Sequence, residues 1–235
     1  MKNICKELVT IVIPCKNEGI VIENCIDFIS KQVDINDTRI IIADSSTQEY
    51  SRNIVLHLPK KYKNILNIEI VEGGYPSIAR LNGSKLVKTP YILFIDADME
   101  LHDISVVRDT VLLKKMLVSV PVHTDSKYNW VFRIFDTCQK WSIKMGIPFA
   151  IGGYQLWNTK YYWSLGGYNP EHIFAEDFTL SKLSSELIIH QTNGVYTSSR
   201  RFESKGVFYM LWVMFLSFLN KNNDDFFKKS HGYWS

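Results

Sequence analysis

Short β-branched runs alternate with stretches of helical spacing over the first hundred residues. Leu8-Val9-Thr10-Ile11-Val12-Ile13 has strand composition, and Pro14, which cannot donate to a ladder, marks its expected end. Residues 18–30 follow, with Ile22, Cys25, Ile26 and Ile29 at helical spacing. Arg39-Ile40-Ile41-Ile42-Ala43 reads as a second strand, running into Asp44-Ser45-Ser46-Thr47. A helix is expected over 48–58, stopped by Pro59. A third strand over 68–71 is closed by Gly73-Gly74, and a third helix over 76–87 precedes Pro90. The run Tyr91-Ile92-Leu93-Phe94-Ile95 is apolar throughout, as a strand buried on both faces must be. Strands alternating with helices of these lengths predict βαβ units, a mostly parallel sheet and right-handed crossovers.

Beyond Asp98 the pattern loosens. Helical spacing returns over 105–116, 128–145 and 175–186, with strand-like stretches at 117–122 and 152–157. Residues 187–190 and 195–197 read as a closing hairpin or strand pair. The stretch 206–219 is apolar all round but shorter than the ~20 residues that span a bilayer. Lys205 and Lys221 flank it, and Lys228, Lys229, Tyr233 and Trp234 follow. That composition suits either an interfacial helix at anionic lipid or a packed core or homo-oligomer contact through 206–219.

Composition adds limits. The chain has 235 residues, 46% of them hydrophobic and 22% charged, which is ordinary for an α/β domain of enzyme size. A net charge of +3 with no basic run gives no footprint for nucleic acid. The first seven residues lack the apolar core of a signal peptide. Cys5, Cys15, Cys25 and Cys138 form no CxxC pair, so reduced, buried thiols in a cytoplasmic setting are expected.

The candidate chemistry sits at the predicted strand ends, where ligands bind in open α/β sheets. Asp96-Ala97-Asp98 follows the fourth strand, and two carboxylates one residue apart suit a hard divalent cation shared with phosphate oxygens. Aspartate at a strand end also serves as a turn former, so the pair gains meaning from what surrounds it. Pro14-Cys15-Lys16-Asn17-Glu18 follows the first strand, and Asp44-Ser45-Ser46 the second. Ala79-Arg80-Leu81-Asn82-Gly83 lies on the third helix, and Glu176-Asp177 opens a later one after Gly166-Gly167-Tyr168-Asn169-Pro170.

This order resembles the family-two glycosyltransferases, inverting enzymes of the GT-A fold, over about residues 8–201. The resemblance implies a Rossmann-like, mostly parallel sheet flanked by helices, with a C-terminal apolar helix. It implies a GT-A domain over 1–204, with a nucleotide-binding half (1–100) and an acceptor half (101–204), followed by a helix and tail over 205–235. A UDP- or GDP-sugar would be held by Pro14, Asn17, Glu18, Asp44, Arg80, Asp96, Arg200 and Arg201. Mn2+ or Mg2+ would be held by Asp98 with Asp96. Asp177 would be the general base, with Glu176 orienting the acceptor and His172 a further candidate base. Gly152, Gly153, Tyr154 and Trp157 suit either a sugar and acceptor floor or a turn and core. The chain departs from the family pattern in two places: Asp44 stands alone where two acids are usual, and Leu81 stands where asparagine is usual. The acceptor implied is a glycan or a lipid-linked glycan, placing the chain in the cytoplasm or at the cytoplasmic membrane face. Alternatives are a sugar-phosphate nucleotidyltransferase and an inactive GT-A scaffold or membrane-binding module. The first would need a glycine-rich basic loop after strand one, where no glycine occurs before Gly19.

Overall fold

The structure is a computed structural model that describes residues 3–232; Tyr233 and Trp234 lie outside the described residues. The first half runs α1 (Ile4–Leu8), β1 (Val9–Cys15), α2 (Ile20–Ser30), β2 (Thr38–Asp44), α3 (Glu49–Lys61), β3 (Leu66–Glu72), α4 (Pro76–Ser84) and β4 (Tyr91–Ile95). It continues with β5 (Met99–Leu101), α5 (Val106–Leu112), β6 (Leu117–Ser119), α6 (Asn129–Lys144), β7 (Tyr154–Asn158) and α7 (Thr159–Ser164). The remainder is α8 (Glu176–Ser181), β8 (Leu187–Ile189), β9 (Val195–Thr197), α9 (Arg200–Lys205), α10 (Val207–Leu219) and α11 (Asp224–Phe227).

Seven strands form one sheet in the order β3-β2-β1-β4-β7-β6-β8. β1, β2, β3 and β4 are parallel, and β7 runs antiparallel to both β4 and β6. The chain steps outward from β1 to β3 and then returns to lay β4 on β1's other side. The C-terminal ends of β1 and β4 therefore flank the switch point at which such sheets bind ligands. All five residues of β4 are buried, which explains its unbroken apolar run. α4 lies directly on β1, because a Cβ on Gly83 would stand 2.4 Å from Val12 Cγ1. That close approach seats α4 on β1, with Arg80 at mid-helix reaching Asp96 after β4.

Several boundaries differ from expectation. β1 continues through Pro14, because its pairing with β4 ends at Val12 and leaves Pro14 opposite β2 alone. α3 runs past Pro59 to Lys61, the proline falling in its last turn. The predicted hairpin is absent: β8 joins the main sheet parallel to β6, while β9 pairs antiparallel with β5 as a separate ribbon. That ribbon sets Thr197 opposite Met99 and so carries the following arginines alongside Asp98. The four cysteines are free, and Cys138 is exposed rather than buried.

The C-terminal segment folds back onto the domain. Met210, Val213 and Ser217 of α10 are buried, and Phe227 packs with Phe174, Phe178 and Val213. The Phe227 carbonyl accepts from the Ile173 and Phe174 amides at 3.0 and 3.2 Å. His172 Nε2 meets Asp224 at 2.6 Å, and its Nδ1 lies 3.0 Å from Thr179 Oγ1. Among the described residues no helix is long and apolar enough to cross a membrane.

Candidate active site

The ends of β1 and β2 are laced together by Asn17. Its side-chain carbonyl accepts from the Thr47 and Gln48 amides at 2.8 and 3.0 Å, and its own amide N–H donates to Ser46 Oγ at 2.9 Å. These bonds hold Asn17 at φ 57, in the left-handed region that asparagine tolerates better than most residues. Asp44 Oδ1 accepts from the Ser46 amide at 3.0 Å and the Ser46 hydroxyl at 2.6 Å. Pro14 is the next-to-last residue of β1, in register with Ala43 of β2.

Arg80 is the hub of the site. It is 3% exposed, and its two terminal nitrogens diverge. Nη2 donates to Asp96 Oδ1 at 2.5 Å, and Nη1 donates to Glu176. The guanidinium also lies over the Tyr168 ring, 5.6 Å from its centroid. Burial disfavours the charge on Arg80, but Asp96 and Glu176 outweigh that and hold it protonated. Glu176 is buried; burial pushes its carboxyl up, against the pull of Arg80. Asp177 is raised for the same reason, with Arg80 and two backbone N–H donors opposing. Those donors are Gly152 N to Oδ2 at 2.7 Å and Phe178 N to Oδ1 at 2.8 Å. Ala175, at φ 47, supplies the sharp turn that starts α8 with both acids facing this point.

β7 explains why residues so distant in sequence converge. Being antiparallel to β4, it begins where β4 ends, and the Asp96 amide donates to the Gly153 carbonyl at 3.3 Å. A Cβ on Gly152 would stand 3.1 Å from both Arg80 Nη2 and Asp177 Oδ2. Arg80 and the candidate base thus meet at the Gly152 backbone, and Arg80 carries the contact on to the Asp96 carboxylate.

Asp98 faces the other side. Thr197 donates its hydroxyl to Asp98 Oδ1 at 3.2 Å, and Arg200 Nη2 is 3.7 Å from Oδ2. Arg200 also donates to Glu18 at 2.6 Å, closing the gap between the β1 loop and the segment after β9. Burial pushes the Asp98 carboxyl up to about 6, with Asp96 and Glu18 adding to it and Arg200 and Arg201 opposing. A cleft of about 480 Å³ opens beside it, lined by Asn24, Asp125, Thr197 and Arg200 among others. Hard oxygens carrying more negative charge than their surroundings favour are the donors a divalent cation takes, so the residues fit one. Among the described residues no three acidic, histidine or cysteine side chains cluster for a metal. Phosphate and water oxygens would have to complete the shell.

The structure brings Arg80, Asp96, Glu176 and Asp177 into direct contact or adjacency, and Glu18, Asp98 and Arg200 into a second group beside them. Asn82 points elsewhere, donating to the Glu72 carbonyl at 3.1 Å. Tyr154 is buried, its hydroxyl 2.7 Å from Thr110 Oγ1, and Trp157 is buried with its indole N–H on Gln155. Both belong to the core, not to a sugar-binding floor. Thr197 and Tyr168 were not anticipated; a lone threonine in a three-residue strand carries no sequence signal, and Tyr168 stood out only as part of a glycine-rich stretch.

The model of the family described as Glycosyl transferase family 2 matches residues 10–164, well over half of the chain. The chain belongs to glycosyl transferase family 2. Two curated relatives agree with that family. A poly(ribitol-phosphate) beta-glucosyltransferase of Bacillus spizizenii is 35% identical over 92 residues, 38% of this chain and 14% of that protein. The uncharacterized glycosyltransferase EpsJ of Bacillus subtilis is 35% identical over 91 residues, covering 39% and 26%. The chain therefore spans well under half the length of these family 2 relatives. Two solved structures share the fold. S. aureus TarS 1-349 in complex with UDP-GlcNAc superposes with a TM-score of 0.66 at 15% identity, over 82% of this chain and 59% of that one. The mannosyltransferase PcManGT from Pyrobaculum calidifontis, in complex with GDP-Man and Mn2+, gives 0.65 at 16% identity, over 87% and 59%. The GT-A architecture expected of a family 2 member is thus present: a mostly parallel sheet flanked by helices, with an apolar helix after it.

Proposed function

We propose that this chain transfers a sugar from a UDP- or GDP-sugar to an acceptor hydroxyl, with inversion and with help from Mg2+ or Mn2+. The observation that carries the reading is the set of contacts around Arg80: its Nη2 donates to Asp96 and lies, with Asp177 Oδ2, against the Gly152 backbone. Residues 1–100 hold the donor. Pro14 and Asp44, on loops braced by Asn17, form the nucleoside slot, and Asp44 Oδ2 is the acceptor atom for a base or ribose donor group. Arg200, paired with Glu18 and Asp98, is placed to transfer its guanidinium to the diphosphate, whose oxygens match its fork. Arg201 follows it toward the same group. A cation held by Asp98 with Asp96 supplies charge neutralisation for the leaving nucleoside diphosphate.

Residues 101–204 hold the acceptor. Asp177 takes the proton from the attacking hydroxyl. Its two backbone donors fix the carboxylate, and its raised pKa makes it a stronger base than an exposed aspartate. Glu176, fixed by Arg80, orients the acceptor beside it. One base opposite the leaving group is what inversion requires. The acceptor class that fits is a glycan or a lipid-linked glycan at the cytoplasmic membrane face. Fold neighbours in complex with UDP-GlcNAc and with GDP-Man and Mn2+ support the donor class and the cation.

The test is Asp177→Asn. It should bind UDP or GDP as the parent protein does, yet transfer sugar at least ~100-fold more slowly, the lower range for losing a general base. Weakened nucleotide binding with near-normal turnover at saturation would remove Asp177 from that role.

A further inference from the structure

Two helices leave unpartnered apolar faces that the transfer reading does not use. On α10, Phe208, Trp212, Phe215 and Leu219 are exposed at i, i+4, i+7 and i+11, one stripe of the helix, with Phe208 at 92% exposure. The opposite side, Met210, Val213 and Ser217, is buried, so the stripe is fixed outward by packing. On α6, Trp130, Ile134, Trp141 and Met145 are exposed at i, i+4, i+11 and i+15, opposite the buried Val131, Phe132 and Phe135. Both helices rest on one buried cluster, to which α6 gives Val131, Phe132 and Phe135 and α10 gives Met210.

Charge decides what covers these faces. Arg133 and Lys144 are exposed on the same side of α6 as the tryptophans, and Lys144 Nζ lies 5.4 Å from the Trp141 ring. The one acid of α6, Asp136, is taken by Lys140 at 2.7 Å. α10 contains no acid and is bracketed by Lys205 and Lys221. A second copy docked by two-fold symmetry through these faces would set their cations against one another, the single acid of α6 being already paired with Lys140 and α10 having none. Anionic headgroups meet them, while tryptophan and phenylalanine enter the acyl boundary, as interfacial helices do.

We propose that the exposed faces of α6 and α10 dock this protein on an anionic lipid surface. This rests on the surface alone and stands or falls separately from the transfer reading. The test is flotation of the purified full chain with vesicles of phosphatidylcholine, with and without one quarter phosphatidylglycerol. The expected result is flotation with the anionic vesicles, weakened by salt. Phe208→Ser/Trp212→Ser should lower the partition at least ~10-fold, as removal of two inserting aromatics requires. Trp130→Ser/Trp141→Ser should also lower it. If the first pair fails to fold, Phe208→Ser alone serves, since that side chain has almost no buried contacts to lose. No flotation, or equal flotation with neutral vesicles, would overturn the proposal. A dimer in light scattering that the same substitutions dissociate would overturn it in favour of a second copy.

Discussion

Arg80→Met retains the apolar stem and removes the charge that joins Asp96 to Glu176. Glu176 is 6% exposed, so its carboxylate would lose its only cationic contact in a dry position. Breaking a buried ion pair from one side costs about 3–5 kcal/mol. Asp96 is partly open to water, and its pair adds little to that figure. For a chain of this size the cost corresponds to a fall of roughly 6–20 °C in Tm. The deficit must depend on pH. Arg80 is what opposes the upward push of burial on Glu176, so without it the folded-state pKa rises further above the ordinary 4.5. A raised carboxyl opposes folding only while it is ionised. As pH falls through the raised value toward 4.5 the charge disappears, and the wild type loses its Arg80–Glu176 attraction over the same range. The gap between variant and wild type should therefore be widest at pH 8 and should narrow by pH 5. Urea unfolding at both pH values measures it. A gap under about 1 kcal/mol at pH 8, well below the buried-pair range, or one that does not move with pH, would refute the bracket as described.

Asp98→Asn should stabilise the protein at pH 7.5. Its carboxyl is raised from 3.8 to about 6, so the ionised form opposes folding by up to about 3 kcal/mol, and the gain should vanish below pH 4. The same variant should lose any strengthening of UDP or GDP binding by Mn2+, read by titration calorimetry with and without EDTA. Gly152→Ala places a methyl 3.1 Å from Arg80 and Asp177; it should cost about 1–3 kcal/mol, the range for overpacking, and slow transfer with nucleotide affinity intact. The acid limb of kcat/KM against pH should lie above the ordinary aspartate range, because Asp177 is raised.

The first half was legible because β1, β2 and β4 lie in the sheet interior, largely buried, and so read as near-continuous apolar runs ending in polar segments. β4 and Asp96-Ala97-Asp98 are the plainest case. The acceptor half was less so. β8 and β9 are three residues each, too short for any period to declare itself, and which sheet each joins is decided by tertiary partners. Prolines misled at both Pro14 and Pro59: Pro14 sits past the end of β1's pairing with β4, and Pro59 sits in the last turn of α3, where losing the single helix bond to the Val55 carbonyl is tolerated. Individual site residues could be named, but their pairing could not. Arg80 reads as a donor ligand on an exposed helix until its 96-residue reach to Glu176 is seen. Tyr154 and Trp157 likewise read as a pocket floor, although their polar atoms find partners inside the core.

The return of α11 onto the segment before α8 has a consequence for biosynthesis. Ile173 and Phe174, just ahead of the candidate base, give their amides to the carbonyl of Phe227, and His172 is held by Asp224. During synthesis β1, β2 and β3 emerge first and can pair in order, and β4 then returns to β1. The segment just before Glu176-Asp177, in contrast, lacks its α11 partners until some fifty further residues have been made. A nascent chain halted before residue 227 would thus have its parallel strands paired while residues 172–174 still lacked the contacts that α11 gives them.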